Sequence, residues 1–380
     1  MACSSRGLEK KTCKQFTLRQ ASVIECPSLN YSLPDFYQWR YHTMASDTLP
    51  AYIQSLLAPA SYNHSAAQVE LVQTHISFVL LAGDFVYKFK KPVNFGFLDF
   101  SSLDKRLACC QQELVLNRRL CPGIYLGLVT VTRQEGRYAL NGPGEAVEYG
   151  IKMKRMPEDR MMANLIRAGA VGEAHIDALV TILAGFYKRA ETNAQISQFG
   201  TAAGVAVNVL ENFEQTAGFI DQGALSRSQF ETISNYAKQF LTKEERFQRR
   251  IDGGYVRDCH GDLYSANICL ADQIYIYDCI EFNQRFRYCD VASDVAFLAM
   301  DLDYHNLPAL SARFIDGFAR ATQDEGLVDM LDFYKCYRAY VRGKIGLFTA
   351  ADPAVPAAVQ AANTANAARY FTLAEQYATR

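Results

Sequence analysis

The pattern of apolar and polar positions divides this chain into a strand-rich first part and a helical second part. Three apolar runs, Val69–Thr74, Phe78–Ala82 and Phe85–Lys90, predict strands, and Gly83-Asp84 forms a two-residue hairpin turn of the kind that tolerates positive φ. Asp104–Leu120 predicts a helix with Leu107, Leu114 and Leu120 on one stripe. Further strands follow at Tyr125–Thr132, Arg137–Leu140 and Val147–Lys154, with the loop Asn141-Gly142-Pro143-Gly144 among them, and Arg155-Met156-Pro157 ends the last one. From Glu158 the apolar spacing becomes three to four. Helices are expected at Met162–Ala168, Ala174–Thr192 and Leu225–Arg250, with Gln198–Ala206 as a polar, glycine-containing stretch between two of them. Leu-Ala-Asp-Gln at 270–273 reads as the turn of a small hairpin, Asn267–Leu270 against Ile274–Tyr277. More helices are expected near Ala309–Glu325, Leu327–Ala351 and Ala357–Ala378.

Residues 1–43 break the pattern. They are polar, sprinkled with cysteine, and hold the single tryptophan, Trp39. Two readings stand: an extension lying before a true start at Met44, or an arm that packs on the strand-rich part.

Composition narrows the function classes. Of 380 residues, 49% are hydrophobic and 21% charged, enough for a sizeable core. The net charge of −1 argues against a nucleic-acid surface. No apolar run reaches the ~18–20 residues that span a bilayer, and the first residues lack an apolar leader core. A cytoplasmic protein without membrane or nucleic-acid partners is the expectation. The 11 cysteines include no C-x-x-C pair, so free, mostly buried thiols are expected. Cys259, Cys269, Cys279 and Cys289 fall at intervals of ten, and a loop–hairpin–helix path is expected to scatter them.

The chemistry concentrates in residues 259–303. His260-Gly261-Asp262 is followed five residues on by Asn267, and the run Ile274–Tyr277 delivers Asp278. Phosphoryl transfer of the protein-kinase type needs these parts in this order: an Asp that takes the proton of the attacking hydroxyl, an Asn that holds a metal ion, and an Asp at a strand end that holds Mg²⁺ across the nucleotide phosphates. The hairpin brings Asp278 back beside Asn267. In the third strand, Val86-Tyr87-Lys88 matches the end of the phosphate-lysine signature, and alternation puts Val86, Lys88 and Lys90 on one face.

His-Gly-Asp where peptide-directed kinases carry His-Arg-Asp, with the continuation IYDCIEFNQRFRYCDVASDVAFLAMDLD, resembles the aminoglycoside phosphotransferase and choline kinase group, and within it a bacterial branch of unassigned substrate. The resemblance spans about residues 65–350. It implies an α+β, protein-kinase-like two-lobed fold, with a small antiparallel-sheet N-lobe at 44–156 and a mainly helical C-lobe at 157–380 containing the catalytic loop 259–278. It implies Asp262 as base, Asn267 and Asp278 as Mg²⁺ ligands, and Glu113 as the partner of Lys88, with Lys90 in reserve. His260 is expected to brace the loop and Asp290 to buttress it. Tyr264, where many relatives carry a second His, is expected to shape the loop.

Other assignments stay open at this level. The tip Thr74–Ser77 is not glycine-rich; its backbone and the Thr74 and Ser77 hydroxyls are candidate phosphate contacts, and His75 a weaker one. Met153 and Met156 are adenine-wall or core residues. Glu281 is expected to pair with Arg285 or Arg287 rather than extend a metal site. Asp294, Asp301 and Asp303 read as helix-end charges or as an acidic strip for a polyamine-like sugar. Arg338 and Arg342 share a helix face and are either structural or a clamp for an anionic substrate. The expected activity is ATP- or GTP-dependent transfer to a small-molecule hydroxyl. The alternative is a catalytically silent nucleotide-binding module, against which the presence of Asp262, Asn267 and Asp278 counts. A peptide kinase is disfavoured, because no A-P-E-type segment follows Asp278.

Overall fold

The computed structural model describes residues 49–353 and 355–380. The expectations for residues 1–43, Trp39 and a start at Met44 lie outside the described residues.

A six-stranded antiparallel sheet comes first, in the order β1-β2-β3-β6-β4-β5. Its strands are β1 (Val69–Gln73), β2 (Ser77–Ala82), β3 (Phe85–Lys90), β4 (Tyr125–Gln134), β5 (Arg137–Leu140) and β6 (Glu145–Lys154). Gly83 makes the β2–β3 turn at φ +56, and a Cβ there would meet the Ser65 carbonyl at 2.5 Å. The two faces of the sheet are covered differently, and β3 shows why. Tyr87 and Phe89 are buried on the face that packs on Leu49 and on Ile53 and Leu56 of α1 (Ala51–Leu56). Lys88 and Lys90 point to the other face, where both reach Glu113 of α2 (Leu103–Asn117). The period-two alternation read from the sequence is therefore the alternation observed. Helix α2 starts at Ser102, whose hydroxyl accepts the Lys105 N–H.

The rest of the chain is mainly helical: α3 (Met162–Arg167), α4 (Glu173–Arg189), α5 (Ala194–Ser197), α6 (Ala202–Thr216), α7 (Arg227–Leu241) and α8 (Glu244–Asp252). After two small two-stranded sheets come α10 (Val291–Tyr304), α11 (Pro308–Thr322), α12 (Val328–Ala351) and α13 (Ala357–Ala378). One sheet joins β7 (Val256–Asp258) to β10 (Tyr288–Asp290), with the one-turn α9 (Gln284–Arg287) just before it. The other is the hairpin of β8 (Ile268–Leu270) and β9 (Ile274–Ile276). The α+β expectation holds: a small antiparallel sheet precedes a mostly helical part.

Two helical expectations are corrected. The stretch Gln198–Ala206 does not remain a linker. Thr201 caps a new helix there, its hydroxyl accepting the Gly204 N–H, and Val205, Val209 and Phe213 bury at helical spacing. The single helix expected over Leu225–Arg250 is broken at Thr242-Lys243. The break lets Arg250 turn inward to pair with Asp290 and Asp324.

Helix α10 runs through the centre of the helical core, with every residue but Asp303 buried. Asp294 and Asp301 do lie near the helix ends, but they are not an acidic strip open to a substrate. They lie in the first and last turns of α10 but face inward, 0% and 1% exposed. Burying a carboxylate is costly unless it is partnered, and these two take partners from the loop that carries Asp262.

The cysteines carry a further correction. All those described are free thiols. Three of the evenly spaced four are not scattered. The Cys259 thiol reaches the Cys289 carbonyl at 3.3 Å because β7 pairs with β10, and the Cys279 thiol reaches the Cys259 carbonyl at 3.8 Å where the Ile280 N–H meets the His260 carbonyl. Burial pushes Cys279 up to about 12 and Cys259 well above the ordinary thiol range, so the cluster is apolar packing and not a thiolate site.

Candidate active site

The site forms where α2, β3 and the segment 258–281 meet. The end of α2 holds the two parts together. The Asn117 side-chain oxygen accepts the Cys279 N–H at 2.9 Å, and the Arg119 guanidinium donates to the carbonyls of Asp258 and Cys259.

On the sheet side a chain of ion pairs runs through five residues. The Lys88 ammonium lies 2.8 Å from Asp278 Oδ1 and 2.9 Å from Glu113 Oε1. Lys90 lies 2.7 Å from Glu113 Oε2 and 2.5 Å from Glu281 Oε1, under the Phe100 ring. Burial alone would lower both lysines. The carboxylates outweigh it: Asp278 and Glu113 hold Lys88, and Glu113 and Glu281 hold Lys90, well above the ordinary value. Glu113 is raised by burial, but the two ammoniums outweigh that and keep it below the ordinary range. Glu281 goes the other way, raised by burial and by the Glu113 charge. The expected pairing of Glu281 with Arg285 or Arg287 is overturned. Arg285 pairs with Glu211 and Arg287 with Asp258, and Glu281 turns inward to Lys90. Both lysines thus share one buried acid, with Lys88 the one that also contacts Asp278.

Asp278 itself sits at φ +63, a left-handed conformation that is costly for a residue with a side chain. Its N–H points to the Tyr125 hydroxyl at 3.4 Å, and its side chain is 40% exposed. The strained backbone aims an accessible carboxylate at Lys88.

The loop that carries Asp262 is held almost entirely by backbone contacts. Asp294 accepts the N–H groups of His260 (2.7 Å) and Gly261 (3.0 Å), and Asp301 accepts that of Ser265 (2.9 Å). Arg338 donates to the Gly261 carbonyl at 2.8 Å. Gly261 has φ +86, and a Cβ on it would meet the Phe286 carbonyl at 2.8 Å. Asp290, expected as the buttress, instead caps α10 and pairs with Arg250. The work falls one helical turn later, on Asp294. The expected bracing role of His260 fits its contacts. Its Nδ1 accepts the Asp262 N–H at 3.3 Å and its Nε2 lies 3.1 Å from the Tyr277 carbonyl, the neutral Nε2–H form. Burial drives its value down to about 4, so the ring stays neutral.

Asn267 donates through its amide nitrogen to Asp262, at 2.9 Å to Oδ2 and 3.0 Å to the carbonyl. That leaves the amide oxygen as the atom it can offer a cation. The Tyr277 N–H donates to the Asn267 carbonyl at 3.0 Å, so the hairpin returns Asp278 to Asn267. Burial and the Asp278 charge raise Asp262 to about 6 against the opposing pull of Arg342 and Arg338. Tyr264 stacks on Phe297, with ring centroids 5.3 Å apart, and carries the Arg342 guanidinium 4.9 Å above its ring.

The remaining candidates lie at the margins. The Thr74 hydroxyl accepts the N–H groups of Ile76 and Ser77 and so closes the β1–β2 turn. Ser77 is buried at 1% exposure, and His75 is exposed. Met153 and Met156 pack against a cluster that includes Ile124, Tyr125 and Cys269. Among the described residues no three His, Cys, Asp or Glu side chains gather into an all-protein metal cage. A hard cation held by one or two protein oxygens together with phosphates needs no such cage. The exposed Asp278 carboxylate and the free side of the Asn267 amide suit that mode.

No family model matches the chain. Uncharacterised proteins of Mycobacterium tuberculosis (strain H37Rv) and Mycobacterium bovis are each 33% identical over 279 residues, 73% of this chain and 54% of their own length. The chain therefore spans about half the length of these curated relatives. Solved structures that match include an ADP-bound aminoglycoside phosphotransferase, at 14% identity and TM-score 0.45 over 85% of this chain and 99% of that one. A choline/ethanolamine kinase family protein from Mesorhizobium loti matches at 9% identity and TM-score 0.45, over 86% and 98%. A glucosamine kinase in complex with glucosamine, ADP and inorganic phosphate matches at 14% identity and TM-score 0.45, over 87% and 83%. The fold is protein-kinase-like: an N-terminal antiparallel sheet, a helix whose acid meets the third-strand lysine, and a mostly helical C-terminal part. Among the described residues no helix is long and apolar enough to cross a membrane.

Proposed function

We propose that the chain is an ATP- or GTP-dependent phosphotransferase that moves the γ-phosphoryl group to a hydroxyl of a small molecule. One observation carries the reading: Lys88 joins Glu113 to Asp278, while Asn267 ties Asp262 to the segment that delivers Asp278. A nucleotide-phosphate clamp and a candidate base thus converge from distant parts of the chain. On this reading residues 44–156 are the nucleotide lobe and 157–380 the lobe bearing the catalytic loop.

Lys88 grips the nucleotide phosphates, oriented by Glu113. Met156 stands where the chain leaves β6, on the adenine side. Thr74 and Ser77 act through the turn they shape, with the backbone of that turn over the phosphates. Asp278 and Asn267 would hold Mg²⁺, which supplies neutralisation of phosphate charge when bound. Asp262 accepts the proton of the acceptor hydroxyl. The bond from the γ-phosphorus to the β-phosphate oxygen breaks, a new bond to the acceptor oxygen forms, and the products are a nucleoside diphosphate and a phosphomonoester. Positioning and charge neutralisation supply most of the rate.

The test is a screen of metabolite extracts with the purified protein and γ-labelled ATP, beside Asp262→Ala. Label entering a small molecule with the native chain, and none with the variant, is expected while both bind nucleotide. Nucleotide binding with no transfer to any compound would favour the silent module instead.

A further inference from the structure

The charges around Asp262 bear on the acceptor. The acids that a cationic sugar would need are already committed. Asp294 receives Tyr187, the His260 and Gly261 N–H groups and Arg338. Asp301 receives Ser265, and Asp303 receives Lys335 and Tyr377. The first two are buried and all three have internal partners. An amine-rich substrate would find no free carboxylate among them.

Cations stand there instead. Arg338 is buried and spent on Gly261, Ser293 and Asp294, so it serves the loop. Arg342, one turn further along α12, is half-buried, as are Tyr264 beneath it and Asp262 two residues before Tyr264. The Arg342 guanidinium lies between the Tyr264 and Tyr370 rings, and its charge opposes the rise of the Asp262 carboxyl, which sets it near the candidate base. An ammonium-rich acceptor brought to Asp262 would meet the Arg342 guanidinium at close range in a poorly screened setting, whereas an anionic group would be drawn to it.

Resting on the phosphotransferase reading above, we propose that the acceptor is an anionic hydroxyl compound, carrying a carboxylate or phosphate that Arg342 receives while Asp262 takes the proton of its hydroxyl. Arg342 is then a specificity-determining residue. The flat guanidinium over Tyr264 suits an oxyanion, which it can bind through two parallel N–H donors. The transfer is the one written above, with the acceptor's own anionic group unchanged.

The experiment uses the full chain with Mg²⁺ and labelled ATP on a panel of four acceptor classes: sugar acids, sugar phosphates, neutral sugars and amine-rich aminocyclitols. Phosphorylation of a sugar acid or a sugar phosphate ahead of the other two classes is expected, and which of the two is preferred identifies the source of the charge. Arg342→Met should raise KM for that acceptor about 10- to 100-fold, the worth of a hydrogen bond to a charged group. KM for a neutral analogue should change less than about threefold by the same reasoning, and Arg342→Lys should restore part of the loss. Transfer to an aminocyclitol in preference, transfer to no anionic compound, or an equal loss by Arg342→Met for charged and neutral acceptors would each overturn the assignment. Nucleotide binding is measured in parallel. Absence of binding would strike the phosphotransferase reading itself, whereas binding with a cationic acceptor strikes only this inference.

Discussion

Two regions of the site are built from the same residue types and behave differently. On the sheet side, Asp278, Lys88, Glu113, Lys90 and Glu281 are joined side chain to side chain. Such partners can be exchanged, and Asp278, the most exposed of these carboxylates, ends the chain of ion pairs. On the loop side, Asp294 and Asp301 hold backbone N–H groups. Those donors cannot rotate away, and the fold fixes them in place. On the proposed function the first region is the one a cation and phosphates would rearrange, while the second is set before any ligand arrives. Preorganisation is needed where the base must be aimed, and exchangeable charge where a ligand must be admitted.

Substitutions can break or sharpen this contrast. The largest effect is expected at the base: Asp262→Asn should lower phosphoryl transfer by about 10²- to 10⁴-fold with nucleotide affinity kept, measured by turnover and by calorimetric titration. Next, Asp294→Ala removes the buried counter-charge of Arg338 and leaves the His260 and Gly261 N–H groups without their acceptor, and should cost about 3–5 kcal/mol in denaturant unfolding. Glu281→Gln on the exchangeable side should cost less, about 1.5–3 kcal/mol, since one charged hydrogen bond is at stake and the carboxyl is already raised by burial. If the two carboxylates proved equally costly, the contrast would fail.

The pH profile comes next in size. With Asp262 raised to about 6, kcat/KM should fall about tenfold per unit below pH 6, because the protonated carboxyl cannot take a proton. Stability carries two opposed contributions. A raised carboxyl contributes stability that is present below its ordinary value of 3.8 and lost as pH rises through about 6. His260, lowered to about 4, contributes stability that is present above 6.5 and lost as pH falls through about 4. A His260→Gln variant should therefore shift the acid limb of the stability curve without removing the pH 6 limb of activity. The smallest effect is expected at Thr74→Ala. Its hydroxyl closes a turn, and nucleotide affinity should move by only about twofold, within ±0.5 kcal/mol, in the same titration.

Much of this was legible in the sequence where local periodicity and motif spacing carry it. Alternation in Phe85–Lys90 put Lys88 and Lys90 on one face, and both meet Glu113 there. The spacing of His260, Asp262, Asn267 and Asp278 corresponds to a loop and a hairpin that bring these residues together. The helix at Ala202–Thr216 was also available, since Val205, Val209 and Phe213 keep its period, but Gly200 and Gly204 gave the stretch the look of a linker. What could not be read locally were the partners of buried charges. Asp290, Asp294 and Asp301 are all acids on or beside one helix, and only the direction in which each one faces assigns it to Arg250 or to the loop. Glu281 likewise had two arginines within six residues, and chose a lysine from a strand far earlier in the chain.

By itself, then, the order of residues determined which segments are strands, which side of β3 bears the lysines, and where the Asp-Asn-Asp set lies, because these depend on neighbours a few positions apart. Which acid supports the loop carrying Asp262, how Glu113 comes to be shared by two lysines, and that the Arg342 charge acts on Asp262 were decided only by tertiary packing. A buried charge must find its counter-charge in space, and the sequence distance between the two, 44 positions from Asp294 to Arg338 and 191 from Lys90 to Glu281, leaves no local trace.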